Sequence, residues 1–104
     1  MPIGYFLATK LAAYEDRGGK DIRLSHDMED IVAVVDGNSR VVESIANADF
    51  KVRKYIAGHF RKFFEDQALL EEAIAGYIRA AGEPPGRVRA VISKVESIAK
   101  ILGS

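Results

Sequence analysis

From Tyr5 to Asp36 the chain reads YFLATKLAAYEDRGGKDIRLSHDMEDIVAVVD, two stretches of helical periodicity parted by Gly18–Gly19 and a short charged connector. What constrains the fold most is where the charges of this stretch fall. At about 100° per helical residue, Lys10 shares its face with Ile3, Phe6, Leu7 and Tyr14, at offsets −7, −4, −3 and +4. Lys10 therefore lies inside or at the edge of the apolar stripe, and Arg17, seven residues on, lies on the same side. In the second stretch Asp27 has Asp30, Ile31 and Val34 at +3, +4 and +7, while Glu29 points elsewhere. Burying a charge costs several kcal/mol unless it is paired or used. A hairpin built this way must bring its cations and carboxylates together or put them to work.

The boundaries of the elements follow from local chemistry. Pro2 suits a first helical turn, and Ile3, Phe6, Leu7, Leu11 and Tyr14 form the first stripe. Gly18–Gly19 ends that helix, with Arg17 in its last turn, where a cation suits the dipole. Residues 20–24 are a connector. Ser25 caps the second helix, Asp27, Glu29 and Asp30 crowd its first turns, and it stops at Asp36–Gly37. The run Val32–Val35 has strand character, but the capped acidic start and the lack of a partner strand favour a helix.

The spacing predicts a third, short helix over 40–46, capped by Asn38 or Ser39, with Val41, Val42 and Ile45 inward and Asn47 as its end. A fourth, from Ala48 or Asp49, carries Val52, Tyr55, Ile56, Phe60, Phe63 and Phe64. A fifth, over 67–81, carries Leu69, Leu70, Ala73, Ile74, Tyr77 and Ile78. Glu65–Asp66 reads equally as a bend or as a polar patch in one long helix. Gly82-Glu-Pro-Pro-Gly86 is the clearest loop. The last helix, over 87–102, has the stripe Val88, Val91, Ile92, Val95, Ile98, Ala99 and Leu102. The expected fold is all-α: one domain over 1–104, a bundle of five or six helices, with a hairpin over 1–36 and the remaining helices over 38–102.

Composition narrows the function classes. Net charge is zero over 15 basic and 15 acidic residues, so no whole-molecule field drives the chain onto nucleic acid or membrane. With no cysteine there are no disulfides, thiolate chemistry or zinc–thiolate sites. No apolar run approaches the roughly 18 residues of a membrane span, and MPIGYFLATK lacks the basic start and apolar core of a secretory signal. A soluble cytoplasmic protein, not a membrane partner, is the expectation.

Lys10, Asp27 and Asp30 admit two readings. One is an ion pair between neighbouring helices, with Lys10 snorkelling out of its stripe and the aspartates serving the helix start. The other is a phosphate-handling lysine with carboxylates that orient it or a bound cation, since lysine serves phosphate as a point charge and carboxylates suit magnesium.

The motifs Lys10-Leu11-Ala12-Ala13, Arg17-Gly18-Gly19 and Asp27-Met28-Glu29-Asp30-Ile31 stand in this order over about a third of the chain. Together they resemble the C-terminal helical region of the abortive-infection (AbiEii-type) nucleotidyltransferase toxins of toxin–antitoxin systems. The resemblance implies nucleotide binding by Lys10, with Arg17 beside it, and a catalytic role for Asp27 or Asp30. It also implies magnesium-dependent nucleotide transfer from a nucleoside triphosphate. The chain departs from that family in lacking the N-terminal lobe with its Gly-Ser-x-x-[Asp/Glu] metal motif; its one Gly-Ser is Gly103–Ser104. No metal ligand and no cofactor are therefore assigned to this chain alone. Magnesium with a nucleoside triphosphate is expected only if a partner lobe completes it.

Two rival readings concern other surfaces. Lys51, Lys54, Arg61 and Lys62 fall on one side of helix four, with Arg53 and His59 on its flank and no acid from Lys51 to Lys62. Such a face could track an RNA backbone, or it could be a solvated face or one turned toward the acidic segment with Glu65, Asp66, Glu71 and Glu72. A chain without its partner lobe should also expose apolar surface and could homodimerise, and the near-heptad stripe of the last helix offers a seam. His26 reads as a helix-start surface residue or a group supporting the Asp27 site, and His59 as surface. Tyr55, Phe60, Phe63 and Phe64 read as core.

Overall fold

The computed structural model describes residues 2–19 and 21–101. Six α-helices account for most of them: α1 (Ile3–Asp16), α2 (His26–Gly37), α3 (Val41–Ala46), α4 (Phe50–Phe63), α5 (Gln67–Ala80) and α6 (Gly86–Ala99). Two 3₁₀ turns, Ile22–Leu24 and Phe64–Asp66, join α1 to α2 and α4 to α5, and no strand occurs among the described residues. The fold is the expected all-α bundle. Its radius of gyration, 12.5 Å, is that of a single globule of about 100 residues. Among the described residues no helix is long and apolar enough to cross a membrane.

The helix ends follow the residues that close them. Gly18 and Gly19 take φ of +89° and +56°, and their N–H groups return to the carbonyls of Glu15 and Tyr14, ending α1. The Ser25 hydroxyl accepts from the Met28 N–H at 3.2 Å and starts α2. The Asn38 side chain accepts from Arg40 N–H, so it shapes the turn into α3 rather than capping the helix directly. Asp66 resolves the ambiguity at Glu65–Asp66. Its carboxylate accepts from Leu69 N–H, which starts α5 afresh after the 3₁₀ turn, and Phe64 belongs to that turn rather than to α4. The last helix ends at Ala99, three residues before the expected end, and the expected Leu102 lies outside the described residues, as does Lys20 of the connector.

The core is continuous, and α6 sits at its centre, packed on α2, α3, α4 and α5. Val91, Val95, Ile98 and Ala99 of its stripe are buried together with Leu7, Leu11, Ile31, Val35, Ile56, Phe60 and Ile74. These four positions of the stripe that offered a dimer seam are thus used within the chain, while Val88 and Ile92 are only partly buried. Phe60 is buried as expected, and Tyr55, Phe63 and Phe64 pack against the core from its edge.

Two helix ends are closed from a distance. Lys94 of α6 donates from Nζ to the carbonyls of Val35, Asp36 and Asn38, at 3.0, 3.4 and 3.3 Å. Arg87 pairs with the Asp36 carboxylate at 2.9 Å. α2 has no basic residue in its own last turn, so α6 supplies the positive charge that its C-terminal carbonyls favour. Arg61 of α4 does the same for α6, donating to the Ala99 carbonyl at 2.9 Å.

Candidate functional site

Lys10, Arg17, Asp27 and Asp30 meet across α1 and α2 as two crossed ion pairs. Lys10 Nζ lies 2.7 Å from Asp30 Oδ2, and Arg17 Nη1 lies 2.5 Å from Asp27 Oδ2. The pairing follows from the helix directions: Arg17 closes the C-terminal end of α1, Asp27 stands in the first turn of α2, and each charge suits the helix end that carries it.

The two pairs differ in burial. Asp27 is the one charged residue buried among the described residues, its side chain 5% exposed, while its partner Arg17 is 67% exposed. Lys10 and Asp30 are 28% and 47% exposed, and the Lys10 ammonium also stands 5.7 Å from the Phe6 ring centre. A pair of that exposure is worth about 0.2–1 kcal/mol, so its partners can be exchanged at little cost. Asp27 cannot be left without a cation so cheaply.

These four residues line one cleft of about 570 Å³, together with Tyr14, Leu24, Ser25 and His26. Leu24 stands at its lip, 83% exposed, and the His26 side chain is almost wholly in solvent beside Glu29. The connector beside the cleft is fixed by Tyr77 of α5. Its hydroxyl reaches the carbonyls of Ile22 and Ser25 and accepts from the Ser25 N–H at 3.1 Å, which clamps the connector that carries Leu24 and leads into α2. Burial pushes the Tyr77 phenol up from its ordinary range, reinforced by Glu29 and Asp21 and opposed by the Ser25 hydrogen bond. Tyr14 is raised by burial and by the nearby Asp21 and Tyr77. On the rim, Asp21 grips the Arg23 guanidinium and N–H, which hold its carboxyl down at about 2.

The cleft's charges sum to zero, and both carboxylates already hold cations. Among the described residues no three acidic or imidazole side chains lie close enough to hold a metal ion. The residues present do not fit magnesium, and no step through that ion can be built on this chain.

The α4 cations divide differently. Arg61 is committed to the end of α6, and Arg53 reaches the carbonyls of Ala46 and Ala48 at 3.5 and 3.4 Å. Lys51, Lys54 and Lys62 stay on the exposed face. Among the described residues none of them pairs with an acid of the following segment: Glu72 pairs instead with Arg23, and Asp66 serves the α5 cap. His59 departs from the expected surface position. Its ring packs 4.3 Å from Tyr55 and lodges between the Tyr55 carbonyl, at 3.0 Å, and the Glu15 carboxylate, at 2.5 Å, tying α4 to α1.

Sequence reasoning missed Tyr77 as a polar clamp, because its apolar spacing marks it only as core. It also missed Leu24, which is the one apolar residue of the connector lip. Comparison of the chain with family models, curated proteins and solved structures gave no match.

Proposed function

We propose that this chain is a helical accessory lobe, like the C-terminal region of the abortive-infection nucleotidyltransferases, whose α1–α2 cleft contacts the phosphates of a nucleotide. It does not transfer nucleotides by itself; the metal-binding carboxylates come from a separate lobe. One observation carries the reading: Lys10, Arg17, Asp27 and Asp30 converge on a single cleft, and within it the Lys10–Asp30 pair is exchangeable. Arg17–Asp27 then acts as the fixed pair. It holds a guanidinium at the rim, where its exposed nitrogens can meet a second phosphate oxygen. Lys10 leaves Asp30 for the incoming phosphate, and Asp30 is freed to accept from a ribose or acceptor hydroxyl.

Calorimetric titration with ATP and magnesium, and separately with pyrophosphate, tests this. Weak binding is expected, lost in Lys10→Ala and strengthened in Asp30→Asn, which releases the ammonium from its competitor. Absence of binding by the wild type and by Asp30→Asn up to about 1 mM, where binding energy is about −4 kcal/mol, removes the reading.

A second reading rests on Leu24. An apolar side chain this exposed at the lip of a cleft suits a protein partner, including a second copy of the chain. Sedimentation separates the two: a dimer broken by Leu24→Ser favours the interaction module, and a monomer that binds phosphate favours the lobe.

A further inference from the structure

We infer that the outer face of α4 is a docking surface for the backbone of a single-stranded nucleic acid. This surface lies on a different helix from the Lys10 cleft and does not depend on it. From Phe50 to Phe63 there is no acidic residue. Among the described residues, no carboxylate lies within ion-pairing distance of Lys51, Lys54 or Lys62. The positions i, i+3 and i+11 put the three ammonium groups on one side of the helix, over about 16 Å of its length. Of the acids nearest them, Glu72 pairs with Arg23, Asp66 caps α5 and Glu15 meets His59, and among the described residues Glu65 and Glu71 form no ion pair with the three lysines, so their charge is left unpaired.

The shape of the face adds a second argument. Lys51, Lys54, Tyr55, Gly58, His59 and Lys62 line a shallow depression of about 390 Å³. A Cβ at Gly58 would meet only the end of the Arg61 guanidinium, at 3.9 Å. Packing therefore does not require glycine there, although glycine costs a helix up to about 1 kcal/mol relative to alanine. What the missing side chain leaves is an approach for a phosphate to the helix backbone between lysines.

At the N-terminal end of the same face Phe50 is 54% exposed, with the Arg53 guanidinium and the Lys54 ammonium 5.3 and 5.9 Å from its ring centre. A cationic track beside an exposed ring is the arrangement that holds phosphates while a base stacks. A polyanion with no π-faces, such as an acidic peptide, would leave Phe50 unused. With zero net charge there is no long-range pull, so the attraction is local and steeply salt-dependent.

Fluorescence anisotropy of the full chain with labelled 12-nucleotide oligouridylate and oligothymidylate tests the proposal, the two arms separating RNA from DNA. Three phosphate contacts predict a slope of about −2 in log affinity against log salt, about a 20-fold fall from 50 to 200 mM. Replacing Lys51, Lys54 and Lys62 together by alanine should abolish that slope and most of the binding. Gly58→Glu should do the same by placing a carboxylate in the depression, while improving helix propensity, so that loss of binding is not loss of fold. Phe50→Ala should weaken binding with the slope unchanged. The proposal is overturned by any of three results: neither oligonucleotide binds at 50 mM salt, binding survives the triple replacement, or polyglutamate competes as well as the oligonucleotides. It also fails if the lysines serve only concentration-dependent association with the acidic side of α5.

Discussion

In the α1–α2 cleft Lys10 and Arg17 each have a carboxylate within 2.7 Å, whereas the three lysines of α4 are exposed and pair with no carboxylate among the described residues. The difference is set by the acids rather than by the cations. Asp27 is buried beside Met28 and Ile31 and demands a counter-charge, so Arg17 belongs to the fold. No buried acid makes that demand on Lys51, Lys54 or Lys62, so their charge is free for a ligand. Lys10 stands between the two cases, paired but with a half-exposed partner. A cation near an apolar stripe thus says little about function until the burial of its partner is known.

The sharpest way to break this contrast is Arg17→Ala. It leaves the Asp27 carboxylate buried without its cation and should cost about 2 kcal/mol in urea unfolding, below the 3–5 kcal/mol of a fully buried pair because Arg17 itself is largely hydrated. A loss under about 0.5 kcal/mol would put this pair among ordinary surface charges.

Next is Tyr77→Phe, which orphans the Ser25 N–H and should cost about 1–2 kcal/mol. Its pH signature has a definite sign. The folded phenol titrates above its unfolded value of 10.0, so its contribution is complete below pH 10 and is lost as pH rises through the folded value. The variant should show less alkaline destabilisation than the wild type.

Smaller still, Gly58→Ala should raise stability by up to about 1 kcal/mol. Single Lys51 or Lys62 replacements should stay within about 0.5 kcal/mol, since nothing in the fold depends on them. Last, Lys10→Met keeps an apolar stem of similar length and gives up a half-exposed pair; it should cost no more than about 0.5 kcal/mol in urea unfolding. A larger loss would move Lys10 into the class of Arg17 and weaken its candidacy as a phosphate contact.

The hairpin was legible because its signals are local. Ser25 and the acids after it mark a helix start, Gly18–Gly19 marks an end, and the offsets of Lys10 and Asp30 require them to lie beside apolar stripes. Which lysine or arginine meets which aspartate was not legible, because it depends on how α1 crosses α2. The break at Phe64–Asp66 was ambiguous for a related reason: Glu65 and Asp66 suit an exposed helix face as well as a turn, and only the Asp66 bond to Leu69 N–H decides. Arg61, Lys94 and Tyr77 act on groups 38 to 59 residues away in the chain. No spacing rule reaches that far.

Those distant cations have a consequence for how the molecule comes apart. α4 secures the end of α6 through Arg61, and α6 secures the end of α2 through Lys94 and Arg87. Fraying at any one of these termini exposes carbonyls that another helix was sealing, so the damage passes along the series. Amide hydrogen exchange in the last turn of α2 should accordingly track opening of the whole bundle rather than local breathing. The hairpin with its cleft would then keep its shape only while the C-terminal third of the chain is in place.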